Sequence, residues 1–506
     1  MPTLALTDFK QKNMLLLGID IGTSSIKVSV VEAATQRCII SSQHPEKEET
    51  PISSPYPGWA EQSPDMWWEH TKLAIGKLNK SGLYNPNDIS AIGIAYQMHG
   101  LVMIDKSHKI LRDAIIWCDS RAVDIGVKAF NSLGQEDILR SHLNSPGNFT
   151  ASKLAWIKDN EPVIYEQIYK VMLPGDFIAM KLTGTVTTSI SALSEGIFWD
   201  FKTNELSETI RDYFGFENDL FPPIVSLFSE HGCITKSVAD ELQLKEGIPV
   251  SYKAGDQPNN ALSLNVLEPG EVAATAGTSG VIYGVSEQLI YDKKSRINTF
   301  AHVNYSKERP LVGVLLCING TGILNRWIKD HFGAGLDYAV MNERALEAPI
   351  GSNGLRILPF GNGAERILEN KTLGALISNI DLNKHQSKHI FRACQEGIAF
   401  AFRYGLDIMR ENGVNPKVIR AGKANLFQSE LFADIFVNIT GVPVELYNND
   451  GSVGAALGAG IGAGIFKSPQ EAFSNTKPLK IIEPNGENTY EEVYHDWKNL
   501  LNKYIK

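Results

Sequence analysis

The stretch from Leu16 to Val31, "LLGIDIGTSSIKVSVV", decides how the rest of the chain is read. An apolar run reads as a strand, stops at Gly22-Thr23-Ser24-Ser25, and resumes with Ile26, Val28 and Val30 alternating. Asp20 stands at the end of the first strand, and its charge is out of keeping with the apolar run before it. The figure returns 255 residues later, from Glu271 to Val285, as "EVAATAGTSGVIYGV" around Gly277-Thr278-Ser279. Glycine in such a turn lets backbone approach a polyphosphate or supplies a positive φ. Neighbouring N–H groups then point into the concavity, and the hydroxyls add donors. One such hairpin is as readily an ordinary turn, but two in matching positions can clamp one phosphate tail from both sides of a cleft. Asp20 is suited to holding Mg2+ through water, because that ion takes few carboxylates and keeps most of its waters.

Working outward, the chain alternates strands and helices. Strands are expected at 15–19, 26–31, 89–95, 101–104, 272–276 and 312–318, and helices at 65–78, 388–412 and 429–440. A length of 506 residues exceeds what one hydrophobic core usually supports. The turn-rich "KAGDQPNNALSLNVLEPG" just before the second hairpin puts the hinge at about 255–270. Two α/β domains are therefore expected, at 14–258 and 264–466, with 467–506 as an extension.

Net charge is −9 and no dense Lys/Arg cluster occurs, which argues against nucleic acid as a partner. The five cysteines are scattered and never spaced C-x-x-C, as in a protein of the reducing cytoplasm. "MPTLALTDFKQKN" has no apolar core of a signal peptide. "SVGAALGAGIGAGIF", Ser452 to Phe466, is too short to span a bilayer and reads as a closely packed helix, so no membrane partner is expected. No P-loop motif is present, and "LGAGIGAG" misses the dinucleotide fingerprint.

The double hairpin with its aspartate resembles the actin-like ATPase superfamily. Within it the chain is similar to the FGGY carbohydrate kinases over roughly residues 14–465. The resemblance rests on "NFTASKLAWIKDNE" (148–161), "GALISNIDLNKHQSKHIFRACQEGIAFAFRYGLD" (374–407), "GWAEQSPDMWWEH" (58–70) and "WCDSR" (117–121). It implies two ribonuclease-H-like domains with a nucleotide cleft between them, ATP and Mg2+ as cofactors, and a small sugar as substrate. It leaves a homodimer open. "YQMHGLVMID" (96–105) resembles the xylulokinase branch, which places Met-His after the third strand at the sugar site, where glycerol kinases have Arg-Glu. D-xylulose phosphorylated on its 5-hydroxyl is the expectation that follows.

The same resemblance implies the site residues. Met98 and His99 would meet the sugar, a thioether against carbon and an imidazole against hydroxyls. Asn148 is a lesser candidate, and Asp119 is expected to hold its loop. Asp256 in "KAGDQPNNALSL" would contact the sugar, take the proton from the attacking hydroxyl and share a water-bridged metal with Asp20. From the residues alone, a Gly-Asp pair is simply a turn. Gly22, Thr23, Ser24, Gly277, Thr278 and Ser279 would hold phosphates.

Two departures from the family pattern stand out. Pro258-Asn259-Asn260 replaces small residues after the aspartate. Near the adenosine, Gly422 and Lys423 persist without the triple glycine of many relatives. Other sugar or polyol specificities (L-xylulose, ribulose, gluconate, glycerol), a non-catalytic actin-like switch and a sugar-sensing pseudokinase remain open. A general base in the cleft is what separates the kinases from the last two.

Overall fold

The computed structural model describes residues 14–47, 49–487 and 489–505; the amino-terminal stretch 1–13 read above lies outside them. Strand Leu15–Ile21 pairs antiparallel with Ile26–Glu32 and parallel with Ile89–Tyr96. Across this sheet the order is Val250–Gly255, Ile89–Tyr96, Leu15–Ile21, Ile26–Glu32, Arg37–His44. The strand Leu15–Ile21 lies at its centre and is buried at every position except Asp20, as a strand covered on both faces must be. Helix Pro64–Lys80 supplies part of that cover through Trp67, Ala74, Ile75 and Leu78.

The second sheet repeats the plan. Glu271–Ala276 forms a hairpin with Gly280–Ser286, which pairs antiparallel with Val312–Ile318. On its other side Glu271–Ala276 runs parallel to Val418–Gly422, and that strand runs parallel to Val444–Tyr447. With the edge strands Asn298–Ala301 and Lys480–Ile482 of the second sheet set aside, both sheets numbered by chain order read third, second, first, fourth, fifth, with the same directions. Lys480–Ile482 extends the second sheet at one edge. The 25-residue helix Ser387–Glu411 buries Phe391, Ile398, Phe402, Leu406 and Met409 in this unit's core.

The first compact unit runs to Asn265 and also takes Phe300–Leu311 and Asp450–Thr476. The second takes Val266–Thr299, Val312–Asn449 and the chain from Lys477. Continuity along the chain would have left the segment after Asp450 with the second unit. Its packing explains where it goes. Helix Gly451–Gly462 lies on the first sheet with backbone against backbone. A Cβ on Gly18 would stand 1.7 Å from the Ser452 carbonyl oxygen, and one on Gly93 would stand 1.9 Å from that of Ala455. The helix's own Gly458 makes room for the ring of Tyr252. This is the Gly-rich stretch seen in the sequence, and no described helix is long and apolar enough to cross a membrane.

Two glycine substitutions test this packing. Gly93→Ala must displace the helix backbone, and overpacking of this kind typically costs about 1–3 kcal/mol. Gly76, inside helix Pro64–Lys80, has nothing within 4 Å of its would-be Cβ. Gly76→Ala should therefore gain about 0.5–1 kcal/mol from helix propensity. Thermal unfolding should show the first variant destabilised and the second unchanged or raised.

Candidate active site

In the first unit the strand Ile89–Tyr96 delivers Gln97, Met98 and His99 to its carboxyl end. His99 sits at φ 61°, a left-handed conformation that is uncommon for a side-chain-bearing residue. Several bonds hold it there. Its carbonyl accepts from Lys153 Nζ at 2.9 Å and Thr150 Oγ1 at 3.3 Å. Its Nδ1 lies 3.0 Å from the carbonyl oxygen of Glu195. That oxygen can only accept, so Nδ1 carries a proton. Phe149 meets the ring edge-on at 4.8 Å, and Phe300 lies tilted at 5.3 Å. Lys153 is wholly buried, and burial pulls its pKa down to about 7 against the attraction of Asp119. Its ammonium also donates to the Ile116 carbonyl at 3.0 Å, so one cation joins the Met-His loop to the Trp117 loop.

Met98 is buried and lies against Gly255, where a Cβ would come within 2.7 Å of Met98 Cγ. Asp256 follows directly. The turn expected at 256–260 is instead a helix, Asp256–Ser263, with the aspartate in its first turn. Asn259 explains part of the difference. Its Nδ2 donates to the Gly451 carbonyl at 2.9 Å, which ties this helix to the start of the glycine-rich one.

Asp20 reaches the same end of the sheet, and its Oδ2 is 2.2 Å from where a Cβ on Gly451 would sit. Burial first, then the neighbouring charge of Asp450, raises Asp20 to about 6, although Lys27 pulls the other way. Burial first, then the charge of Asp20, raises Asp256 to about 7. Lys27 is ion-paired with Asp450. Two close carboxylates with so little neutralisation fit a hard divalent cation held by oxygen ligands. Among the described residues no group of three or more His, Cys, Asp or Glu could hold a metal. Mg2+ needs no such group, because it binds through one or two carboxylates, waters and phosphate.

The turn Gly22-Thr23-Ser24 is braced from the loops that carry Gln97 and Trp117. Thr23 Oγ1 donates to Gln97 Oε1 at 3.3 Å and accepts from Trp117 Nε1 at 2.9 Å. The Thr23 carbonyl accepts from Gln62 Nε2 at 2.8 Å. Asp119 is fully buried; it accepts from the Ala60 amide at 2.5 Å and pairs with Arg121 at 2.7 Å. Asn148 Nδ2 donates to the Asp119 carbonyl, and its Oδ1 has no hydrogen-bond partner.

The second unit holds a cavity of about 430 Å³ lined by Gly277, Thr278, Gly322, Asn325, Tyr338 and Asn425, among others. Neither Gly22 nor Gly277 has a positive φ, so the turn glycines do not serve that purpose. A Cβ on Gly277 would meet nothing closer than Asn425 Nδ2 at 3.5 Å, an ordinary van der Waals contact. The turn is held from below. The Gly277 carbonyl accepts from the Gly322 amide at 2.9 Å and the Thr278 carbonyl from that of Ile323 at 3.1 Å, at the start of helix Gly322–Phe332. Gly322 must be glycine, since its Cβ would lie 2.2 Å from the Gly277 oxygen. Buried Glu365 steadies the preceding turn by accepting from the amides of Asn319 and Gly320 at 2.9 and 3.0 Å.

The structure thus gathers Met98, His99, Asp256, Asp20 and the first turn in one unit, and Gly277 and Thr278 at a cavity in the other. Ser279, Gly422 and Lys423 are not among that cavity's lining residues, although Gly422 ends the strand next to Glu271–Ala276. Sequence reasoning missed Glu195, Lys153, Asn325, Tyr338 and Asn425. Of these, Lys153 lies in the 148–161 motif and Asn425 in the stretch that holds Gly422 and Lys423.

Comparison with known proteins defines the class. Residues 15–263 match the N-terminal domain of the FGGY family of carbohydrate kinases, and residues 272–464 match its C-terminal domain. The chain belongs to that family. The xylulose kinase of Staphylococcus epidermidis is 30% identical, covering 96% of this chain and 97% of its own. That of Bacillus subtilis is 27% identical, covering 96% of both. Among solved structures, xylulose kinase from Lactobacillus acidophilus superposes with a TM-score of 0.88 at 21% identity, covering 97% and 98% of the two chains. Gluconate kinase from the same species gives 0.87, and Plasmodium falciparum glycerol kinase with ADP gives 0.86, both at 20% identity with the same coverage. At these identities the structures speak for the fold.

The raised carboxylates carry a stability consequence. Folded Asp256 titrates near 7 against an ordinary 3.8, so the native state binds more protons than the unfolded chain between those values. Its contribution to stability is fully present below about 4 and is lost as pH rises through about 7. Asp256→Asn removes the buried charge. In the ligand-free protein it should raise Tm at pH 8 by roughly 2–4 °C for each kcal/mol relieved, and change little at pH 4. Thermal melts at the two pH values check this.

Proposed function

We propose that this chain is an ATP- and Mg2+-dependent kinase that phosphorylates the 5-hydroxyl of D-xylulose. The observation that carries the reading is the convergence of Met98, His99 and Asp256 at one end of the first sheet. Full-length relatives named xylulose kinase, at 27–30% identity, favour this specificity over the other sugars the family takes. His99 Nε2 hydrogen-bonds a sugar hydroxyl, and Met98 packs against the carbon chain. Asp256, held between protonated and charged near neutral pH, takes the proton as the hydroxyl attacks phosphorus. Phosphoryl transfer asks mostly for positioning and charge neutralisation, so one base is enough chemistry from the protein. Mg2+, when bound by Asp20 and Asp256, supplies the neutralising charge at the phosphates. The turn Gly277-Thr278 and the cavity beside it are assigned to the nucleotide.

Steady-state assays of ADP release across ketoses, gluconate and glycerol test the reading. D-xylulose should give the highest kcat/KM, and Asp256→Asn should lower kcat by about 10²–10⁴-fold with both ligands still bound. Preference for gluconate or glycerol with D-xylulose inert would move the chain to another specificity within the family. An Asp256→Asn variant within a few-fold of the parent would remove the base assignment.

Gly277→Val separates phosphate grip from fold. A Cβ at this position makes only ordinary contacts, so the variant should fold. Its branched Cβ would stand where phosphate must approach, and calorimetry should show ATP binding weakened at least about 10-fold, the effect of losing about 1.4 kcal/mol. Unchanged binding in the folded variant would exclude this turn from the nucleotide site.

A further inference from the structure

Glu195 has no part in the mechanism above, yet it sits in the middle of its residues. It ends the short helix Ile190–Glu195 and is 1% exposed. Its Oε2 is 2.7 Å from where a Cβ on Gly255 would stand, the same point that lies 2.7 Å from Met98 Cγ. Gly255 therefore has no side chain because the Glu195 carboxyl and the Met98 thioether chain fill the space between them. The carbonyl of Glu195 also orients the His99 ring. The carboxyl is hydrogen-bonded to the side chain of Tyr96, the residue that opens the Met-His loop, and it feels the charge of Asp256.

The other oxygen, Oε1, is buried and has no hydrogen-bond partner. A buried carboxyl oxygen left without a partner has lost its water without replacement, which is unfavourable. A fold tolerates such a loss where a ligand later supplies the bond, and binding sites are where such groups collect. Around this carboxyl stand Met98, Gly255, the Tyr96 side chain and the His99 backbone, which hydrogen-bond it or pack on it, and the charges of Asp256 and Asp176.

We infer that Glu195 is a sugar-binding, specificity-determining residue whose Oε1 hydrogen-bonds a hydroxyl of the bound ketose beside the one that Asp256 deprotonates. The inference rests on the sugar-kinase reading given above. A hydroxyl in this position completes the carboxyl's hydrogen bonds, and a sugar that lacks it or presents it with the opposite configuration leaves Oε1 unsatisfied. Discrimination among ketoses then comes from a buried polar group, a stronger filter than shape alone.

The experiment uses the full chain and three variants, with D-xylulose and its monodeoxy analogues as acceptors. Glu195→Met keeps the volume and removes the hydrogen bond. It should raise KM for D-xylulose by about 10–100-fold, as loss of one buried hydrogen bond does, with KM for ATP within about twofold. One deoxy analogue should be a poor substrate for the parent and lose that penalty in Glu195→Met. Glu195→Gln, which keeps shape and hydrogen-bonding capacity, should recover KM to within about fivefold of the parent. If Glu195→Met does not fold, Glu195→Asp carries the test, because it withdraws the carboxyl by one methylene and should raise the same KM selectively. A folded Met or Asp variant with unchanged KM for D-xylulose overturns the inference. So does a parallel rise in both KM values with the deoxy penalties intact, which marks a merely structural residue. A parent that phosphorylates no ketose defeats the functional reading itself, whereas an active parent indifferent to Glu195 defeats this inference alone.

Discussion

The backbone-on-backbone approach of helix Gly451–Gly462 to the first sheet is the constraint on which the first unit's site depends. At Gly18 and Gly93 the helix comes closer than any side chain permits. That contact draws a segment from late in the chain across to the opening strands. It sets Asp450 beside Lys27 and brings Gly451 onto the carboxylate of Asp20. The Asn259 side chain bonds to the Gly451 carbonyl and adds the helix that begins with Asp256 to the same junction. Asp20 therefore has its place because Gly451 lacks a side chain, and the helix of Asp256 is tied to the same residue through its carbonyl.

The site built on this junction is poor in compensation. Lys27 is taken by Asp450, Lys153 spends its hydrogen bonds on carbonyls, and Glu195 adds a third buried carboxyl beside Asp256. Burial raises all three acids above their ordinary range. A fold selected for stability alone would have neutralised or removed them. Their persistence beside a left-handed His99 is the pattern of a site that stores unfavourable energy until ligands arrive.

The two units share a strand plan but not the bracing of their hairpin turns. In the first, the side chains of Gln62, Gln97 and Trp117 hold Gly22-Thr23-Ser24. In the second, the opening amides of helix Gly322–Phe332 hold Gly277-Thr278 through its carbonyls. The first turn is thus coupled to the loop that carries Met98 and His99. The second is set beside a cavity.

Much of this was legible along the chain. Alternating apolar residues around Gly-Thr-Ser located both hairpins, and a charge at the end of an apolar strand marked Asp20, because local period and composition determine strands and their ends; Asp256 was marked only by the family resemblance. The glycine content of residues 452–466 announced close packing. Which sheet receives that helix could not be read, since its partner glycines lie more than 350 residues away. The run Gly-Asp-Gln-Pro-Asn-Asn consists largely of turn formers, and the bond from Asn259 to a distant carbonyl is part of what holds the helix found there, together with the burial of Pro258, Ala261 and Leu262. Glu195 at the end of "ISALSE" lies in no stretch that the sequence singles out. The sequence by itself determined the repeated hairpins, the two-unit α/β plan and the charge at the end of the first strand, because each depends on neighbours a few residues apart. Only the tertiary structure decided which late helix closes the first sheet and which carboxyls share one buried space, because burial and electrostatics act between groups that the chain brings together from afar.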